Sequence, residues 1–194
     1  MEITIKPLTP ALAGDYFDFF ENRAFTDDGP YRCYCQVFQM SKAEYKKLYN
    51  RAKANPGPVS REEAARQIEA GILRGYLAYV DGLSIGWCNA NDRANYPTKP
   101  YHDVPFYAPA EKREKAVICF EIAPAYRGKG VATALLQQVI TDAEAEGYAA
   151  VAGFPVERSE RYEWDCQGPM RLYEKLGFVK AEKRGKFVTM KKAL

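Results

Sequence analysis

The segment KAVICFEIAPAYRGKGVATALLQQVI, residues 115–140, constrains the fold more than any other. An apolar run interrupted only by Glu121 breaks at a turn containing Gly128 and Gly130. It resumes with Val131, Leu135, Leu136, Val139 and Ile140 at helical spacing. A strand covered on both faces is apolar throughout, so the first part reads as an interior strand, and the second reads as an amphipathic helix. The helix start offers unpaired backbone N–H groups and a positive dipole end. With side chains stripped from the turn, an anion can come down onto the backbone itself, and a phosphate is the anion this arrangement suits.

The rest of the chain alternates strands and helices around this segment. Residues 2–6 alternate as a first strand, and Thr9-Pro10 signals a helix with an apolar face of Leu12, Tyr16, Phe19 and Phe20. Ser41, with Glu44 three residues on, forms a capping box that opens a polar helix. The NPGP of residues 55–58 ends it, and Ser60 with Glu63 predicts the start of a third. Two alternating runs meet at Asp81-Gly82, a dipeptide suited to the positive φ of a tight hairpin. From Asn91 to about Lys115 the chain reads as a loop, with Pro97, Pro100, Pro105 and Pro109 among Tyr96, Tyr101, Phe106 and Tyr107. Long aromatic loops of this type serve as lids or substrate walls. A second buried strand over 148–156, a short helix ending at Gly177 and a closing hairpin around Arg184-Gly185 complete the chain.

Length and composition bound what this arrangement can be. With 194 residues, 47% of them hydrophobic, the chain can bury one substantial core, and a single domain over 1–194 is expected. The 28 basic and 25 acidic residues leave a net charge of +3, which gives no case for nucleic acid. The N-terminus lacks a targeting pattern and no apolar run reaches membrane-spanning length, so a cytoplasmic protein away from membranes is expected. Five cysteines are an odd number, three of them sit in or beside apolar strand-like segments as reduced core thiols do, and no disulfide framework is expected. Cys33 and Cys35, one residue apart with no second pair, read as two thiols on one face of a strand, and no metal is expected. His102 sits in the proline-rich loop, where neither a Cys-His pair nor a Ser-His-Asp set is visible, and it reads as a solvated residue. Trp87, Tyr96, Tyr101, Phe106, Tyr162 and Trp164 are open to two readings, acceptor wall or packing.

Three phosphate-binding patterns compete for the turn. A P-loop requires Lys and then Ser or Thr after its last Gly, but Gly130 is followed by Val131. A dinucleotide fingerprint requires a third Gly where Thr133 stands, and it belongs to repeated parallel units that the Asp81-Gly82 hairpin argues against. Arg127, Gly128, Lys129, Gly130, Val131 and Ala132 instead resemble the pyrophosphate-binding motif of the GNAT superfamily, the acetyl-CoA-dependent N-acyltransferases. LYEKLGF at 172–178 resembles that family's second signature, and the two stand in the family's order. The resemblance covers about Ala116 to Val179.

The resemblance implies an α/β (α+β) GNAT fold, a mixed, mostly antiparallel sheet flanked by helices, with two central strands splayed at the cofactor site. It implies acetyl-CoA as cosubstrate, its pyrophosphate cradled by the backbone of residues 127–132, and pantetheine along the strand end at Ile122 and Ala123. It also implies an acceptor amine on a small molecule or peptide, and it is compatible with a homodimer. A lysine-like amine has a pKa of about 10.4, so freeing its lone pair at neutral pH costs roughly 4–5 kcal/mol and a nearby base is worthwhile. Glu121, the sole charge in its strand, is the candidate, with an ion-paired structural carboxylate as the other reading. Tyr173 matches the tyrosine many family members use to protonate the departing thiolate, and it also fits the helix's apolar face beside Leu172 and Leu176. At Cys166 the chain departs from the asparagine that members often carry there to bind pantetheine. A non-catalytic acyl-CoA sensor and a protein N-terminal or lysine acetyltransferase are the rival functions.

Overall fold

The computed structural model describes residues 1–25, 33–52, 56–96, 110–158 and 166–194. Seven strands form one sheet: β1 (Thr4–Pro7), β2 (Gly75–Val80), β3 (Leu83–Asp92), β4 (Glu114–Ile122), β5 (Ala150–Gly153), β6 (Val179–Arg184) and β7 (Phe187–Ala193). Their spatial order is β1-β2-β3-β4-β5-β7-β6. Only β4 and β5 run parallel; the other neighbours are antiparallel. Among the described residues five α-helices accompany the sheet: α1 (Ala13–Asn22), α2 (Lys42–Ala52), α3 (Gly57–Glu69), α4 (Val131–Ala145) and α5 (Met170–Lys175). No helix among the described residues is long and apolar enough to cross a membrane.

The expected mixed, mostly antiparallel sheet is therefore present, and two cores sandwich it. On one face Tyr16, Phe19 and Phe20 of α1 pack with Trp87 of β3 and Ile118 of β4. On the other, α4 lays Val131, Leu135, Leu136, Val139, Ile140 and Ala143 against Val117, Phe120 and Val151. Each buried Val, Leu or Ile there contributes about 1.5–3 kcal/mol relative to exposure, which fixes the roll of α4 on the sheet. Trp87 and Tyr96 belong to the first core, settling those two for packing, while Tyr101, His102, Phe106, Tyr162 and Trp164 lie outside the described residues.

Local signals decide several element ends. Ser41 N–H donates to the Glu44 carboxylate at 2.7 Å and Glu44 N–H donates to Ser41 Oγ at 3.3 Å, the reciprocal capping box that opens α2. Asp81 and Gly82 take φ values of 50° and 78°, closing the β2–β3 hairpin. The predicted start of α3 at Ser60 is corrected to Gly57. Pro58 needs no backbone donor in a first turn, so the helix begins before Ser60, whose N–H donates to Pro56 O at 2.9 Å. Glu63 turns instead to Arg66 and Gln67. The predicted loop from Asn91 also shrinks, because β3 runs to Asp92 and β4 begins at Glu114. The Cys33-Cys35 pair is not on a strand: Cys35, at φ 52°, turns the chain into a short 3-10 helix, Gln36–Gln39, leaving Cys33 exposed and Cys35 buried.

Candidate active site

β4 and β5 pair only from Glu114↔Ala150 to Val117↔Gly153. Beyond that point β4 stays with β3 as far as Gly86↔Ile122, whereas the chain after β5 follows β7, with Pro155 O accepting Val188 N–H and Val156 bridging Phe187. Two parallel strands thus part at their carboxyl ends. In parallel sheets that is where a crevice opens for ligands, because each strand loses one neighbour there.

The glycine turn stands at the same end. A short 3-10 helix, Pro124–Tyr126, links β4 to residues 127–130, and α4 starts at Val131 with Gly130 as its uncapped N-terminal residue. The first bond along the helix is Ala134 N–H to Gly130 O at 3.0 Å, so the N–H groups of Val131, Ala132 and Thr133 precede the ladder. No side chain caps them and no acidic residue occupies the first turn. Gly128 and Gly130 hold φ values of 75° and 87°, which side chains rarely adopt, and a Cβ on either would meet open space. Backbone donors, a positive dipole end and vacant space therefore coincide.

Arg127 does not reach outward. Its Nε donates to Ile122 O at 2.9 Å and its Nη2 to Glu121 Oε1 at 3.2 Å, fastening the turn to the end of β4. The ion-paired reading of Glu121 is thus real, and it leaves the carboxylate's chemistry intact. Burial pushes Glu121 up to about 7, the negative charge at Cys35 adds to that, and Arg127 pulls the other way. Its side chain is 18% exposed. A carboxylate that exchanges its proton near neutrality is suited to proton transfer.

Along β4 the neighbours alternate between faces. Phe120 and Ile122 join the α4 core, so Glu121 points to the opposite side with Cys119 and Ala123. Phe120 N–H points away from β3 and donates to Cys166 O at 2.6 Å. Cys166 therefore holds the strand edge through its own backbone. Two residues on, Ile122 N–H points to the same side by strand alternation. Ala123 N–H turns back to Ile85 O at 3.0 Å, which commits it to the sheet.

Tyr173 approaches from the α4 face. It is fully buried, its ring 6.5 Å from that of Phe120 and 5.3 Å from that of Phe178, and its hydroxyl donates to Gln167 O at 2.7 Å. Burial raises the phenol well above its usual range and keeps it protonated. Glu121 and Tyr173 thus flank β4 from its two faces instead of touching. The residue that seats Tyr173 is Gly153, the last of β5: a Cβ there would lie 2.0 Å from Tyr173 Cε1 and 2.7 Å from its hydroxyl. Sequence reasoning passed over Gly153, although a glycine inside an apolar strand is the ordinary sign of a close approach.

A family model described as the acetyltransferase (GNAT) family matches residues 42–178. No curated protein matches in sequence. Among solved structures, the chain is similar to the GNAT domain of S. lividans PAT, with 19% identity and a TM-score of 0.56 over 98% of this chain and 89% of that one. It is similar also to the PaiA N-acetyltransferase from Thermoplasma acidophilum in complex with coenzyme A, at 14% identity and a TM-score of 0.54 over 100% of both chains. A chain of the NatC complex bound to Gag peptide and CoA shares 16% identity and a TM-score of 0.54, over 100% of this chain and 99% of its own. At such identities the likeness establishes the fold.

Proposed function

The chain belongs to the GNAT family of acetyltransferases, and from that premise we propose that it transfers the acetyl group of acetyl-CoA to a primary amine of a small molecule or peptide by direct attack. The observation that carries this reading is the uncapped start of α4 at the open end of the β4–β5 crevice. Two similar structures, PaiA and NatC, were solved with coenzyme A, and the latter with a peptide, which supports the cofactor and keeps peptides among the acceptors.

The residues present fit the cofactor. The amides of Val131, Ala132 and Thr133 would take its pyrophosphate, with Gly128 and Gly130 leaving the approach clear and Lys129, exposed at the turn, adding positive charge. Ile122 N–H, on the crevice side of β4, would pair with the pantetheine arm or the acyl oxygen. When bound, acetyl-CoA supplies an activated thioester.

Glu121 then accepts a proton from the ammonium form of the acceptor. At a pKa of about 7 it is a strong enough base to do so and weak enough to release the proton again. Arg127 holds the carboxylate in place without neutralising it. Tyr173, protonated throughout the working range, donates a hydrogen bond or proton to the leaving sulfur by turning its O–H from the Gln167 carbonyl.

Calorimetry with acetyl-CoA and thiol release with an amine panel test the assignment. Binding together with amine-dependent release is expected. Binding without release above background would identify a sensor, and the absence of binding would remove the cofactor reading altogether.

A further inference from the structure

Four of the five cysteines are not scattered, while Cys88 belongs to the core on the α4 face. Cys35 Sγ lies 3.2 Å from Cys119 Sγ, joining the turn after α1 to the middle of β4, although 84 residues separate them in sequence. Cys33 is an exposed residue two positions before Cys35, and its sulfur accepts Cys35 N–H at 3.4 Å. Cys166 packs against the same core, and its carbonyl accepts the N–H of Phe120, the residue after Cys119, at 2.6 Å. Four of the five cysteines thus gather around the middle of β4. Among the described residues no group of three or more His, Cys, Asp or Glu is arranged to hold a metal ion.

The central pair is held in place from both sides. Cys35 carries a left-handed backbone at φ 52°, a conformation that costs a non-glycine residue stability and survives only where the surroundings impose it. Asn89 Nδ2 donates to Cys35 O at 3.2 Å, Gln39 Nε2 donates to Asn89 Oδ1 at 3.0 Å, and Gln67 Nε2 donates to Gln36 O at 3.1 Å. This buried amide network pins the strained turn above β3 and β4.

We propose that Cys35 and Cys119 are a redox-active dithiol that a small two-electron thiol oxidant, a hydroperoxide or a low-molecular-weight disulfide, converts to a reversible disulfide strapping residues 33–39 onto β4 beside Glu121. The electrostatics agree with the geometry. Hydrogen bonds from the Cys119 and Cys33 thiols lower Cys35 well below the usual thiol range despite burial, and the buried Trp87 indole N–H, which forms no full hydrogen bond, adds a looser contact. Cys33 and Cys119 are raised, so each keeps the proton it donates. The thiolate is the form that exchanges.

With a hydroperoxide the steps balance as follows. Cys33 sulfur attacks the peroxide oxygen while its proton passes to the departing oxygen, giving a sulfenic acid and the reduced hydroxyl compound. The Cys35 thiolate displaces hydroxide from that sulfur to form a Cys33–Cys35 disulfide. Cys119, deprotonated by that hydroxide, attacks Cys35 sulfur and releases Cys33 as thiolate. Two thiols are oxidised, one peroxide bond is reduced, and a dithiol reductant reverses the change. The 3.2 Å separation must close to about 2.05 Å, a shift within the reach of side-chain rotation and slight movement of the turn. The effect of the strap on acyl transfer rests on the proposed role of Glu121; formation of the bond does not.

The test is chemical mapping of the full chain. The reduced protein is treated with hydrogen peroxide or oxidised glutathione, remaining thiols are alkylated, and peptides are sequenced by mass spectrometry before and after dithiothreitol. The expected product is a cross-linked pair containing Cys35 and Cys119, lighter by two hydrogens and reopened by the reductant. Cys33→Ser should slow its formation several-fold without changing its identity. Full alkylation of Cys35 and Cys119 after Cys33 has been oxidised would overturn the proposal, as would Cys33–Cys35 or Cys119–Cys166 as the final pair. Because these products are read by mass, a chain inactive in acyl transfer still gives a decisive result.

Discussion

Glu121 combines burial, a guanidinium partner and a neighbouring sulfur charge, and the balance gives two separable predictions. As the base, it must lose its proton before it can accept one from the amine. The kcat/KM of the wild type should therefore rise through pH values around 7, and Glu121→Gln should lose about 10²-fold or more and flatten that limb. Stability should move oppositely. The folded chain holds this proton up to about 7, whereas the unfolded chain releases it near 4.5, so the stabilisation is complete below 4.5 and is lost as pH climbs through 7. Thermal melts of Glu121→Gln should match wild type at acid pH and exceed it above neutrality; a variant less stable at alkaline pH would make the Arg127 pair the dominant role. Tyr173→Phe removes one hydrogen bond to Gln167 O, a loss of about 1 kcal/mol. A fall in thiol release of about 10²-fold or more at that small cost would mark the phenol as proton donor, and unchanged turnover would assign it to packing.

At the scale of elements, α4 shows what periodicity reveals and what it hides. The apolar spacing from Val131 to Ala143 names the face that is buried, because a helix rotates each residue by a fixed angle and only one stripe can meet the sheet. The capping box at Ser41 is legible for the same reason: both hydrogen bonds are local. The Ser60 start fails because the same residue pattern fits inside a helix, and Pro58 two residues earlier allows the turn to begin sooner. Cys35 fails because its conformation is imposed by Asn89 and Gln39, partners that strand alternation does not contain. The turn before α4 gives a prediction with two opposed readouts. Ala132→Glu places a negative charge beside the helix's positive end, which should raise helix stability by about 0.3–1 kcal/mol. The same charge would confront the pyrophosphate, so the Kd for acetyl-CoA should rise tenfold or more in calorimetry while the melting temperature holds or increases. Weaker binding accompanied by a lower melting temperature would instead indicate a damaged helix.

For the whole molecule, the crevice depends on one end of the β4–β5 pair staying closed while the other opens. The closed end is where Glu114 begins β4, and its carboxylate receives Arg93 Nη1 and Lys191 Nζ, each at 2.5 Å. Arg93 follows β3, and Lys191 belongs to β7, which pairs with β5, so one acidic side chain ties the strands on both sides of the crevice. Sequence spacing gives no hint of this, since 77 residues separate Glu114 from Lys191 and only the strand order brings them together. The splay is implied by the family resemblance but not by spacing: pairing ends at Val117 and Gly153, beyond which β4 keeps β3 and the chain after β5 keeps β7, and neither partner is local. Glu114 is 5% exposed and Arg93 8%. Removing the acid takes the Glu114 carboxylate from both Arg93 and Lys191, and breaking a buried ion pair by removing one partner costs up to about 3–5 kcal/mol. Glu114→Ala should lower the unfolding free energy by up to that amount, read as a lower denaturant midpoint at unchanged slope, and Glu114→Gln, which still accepts hydrogen bonds but carries no charge, should fall between. If the crevice relies on this tie, saturating acetyl-CoA should restore part of the lost midpoint, because a ligand bound between the parted strands stabilises only the folded chain. A Glu114→Ala midpoint equal to wild type would show that backbone pairing of Glu114–Val117 with Ala150–Gly153 holds the closed end alone.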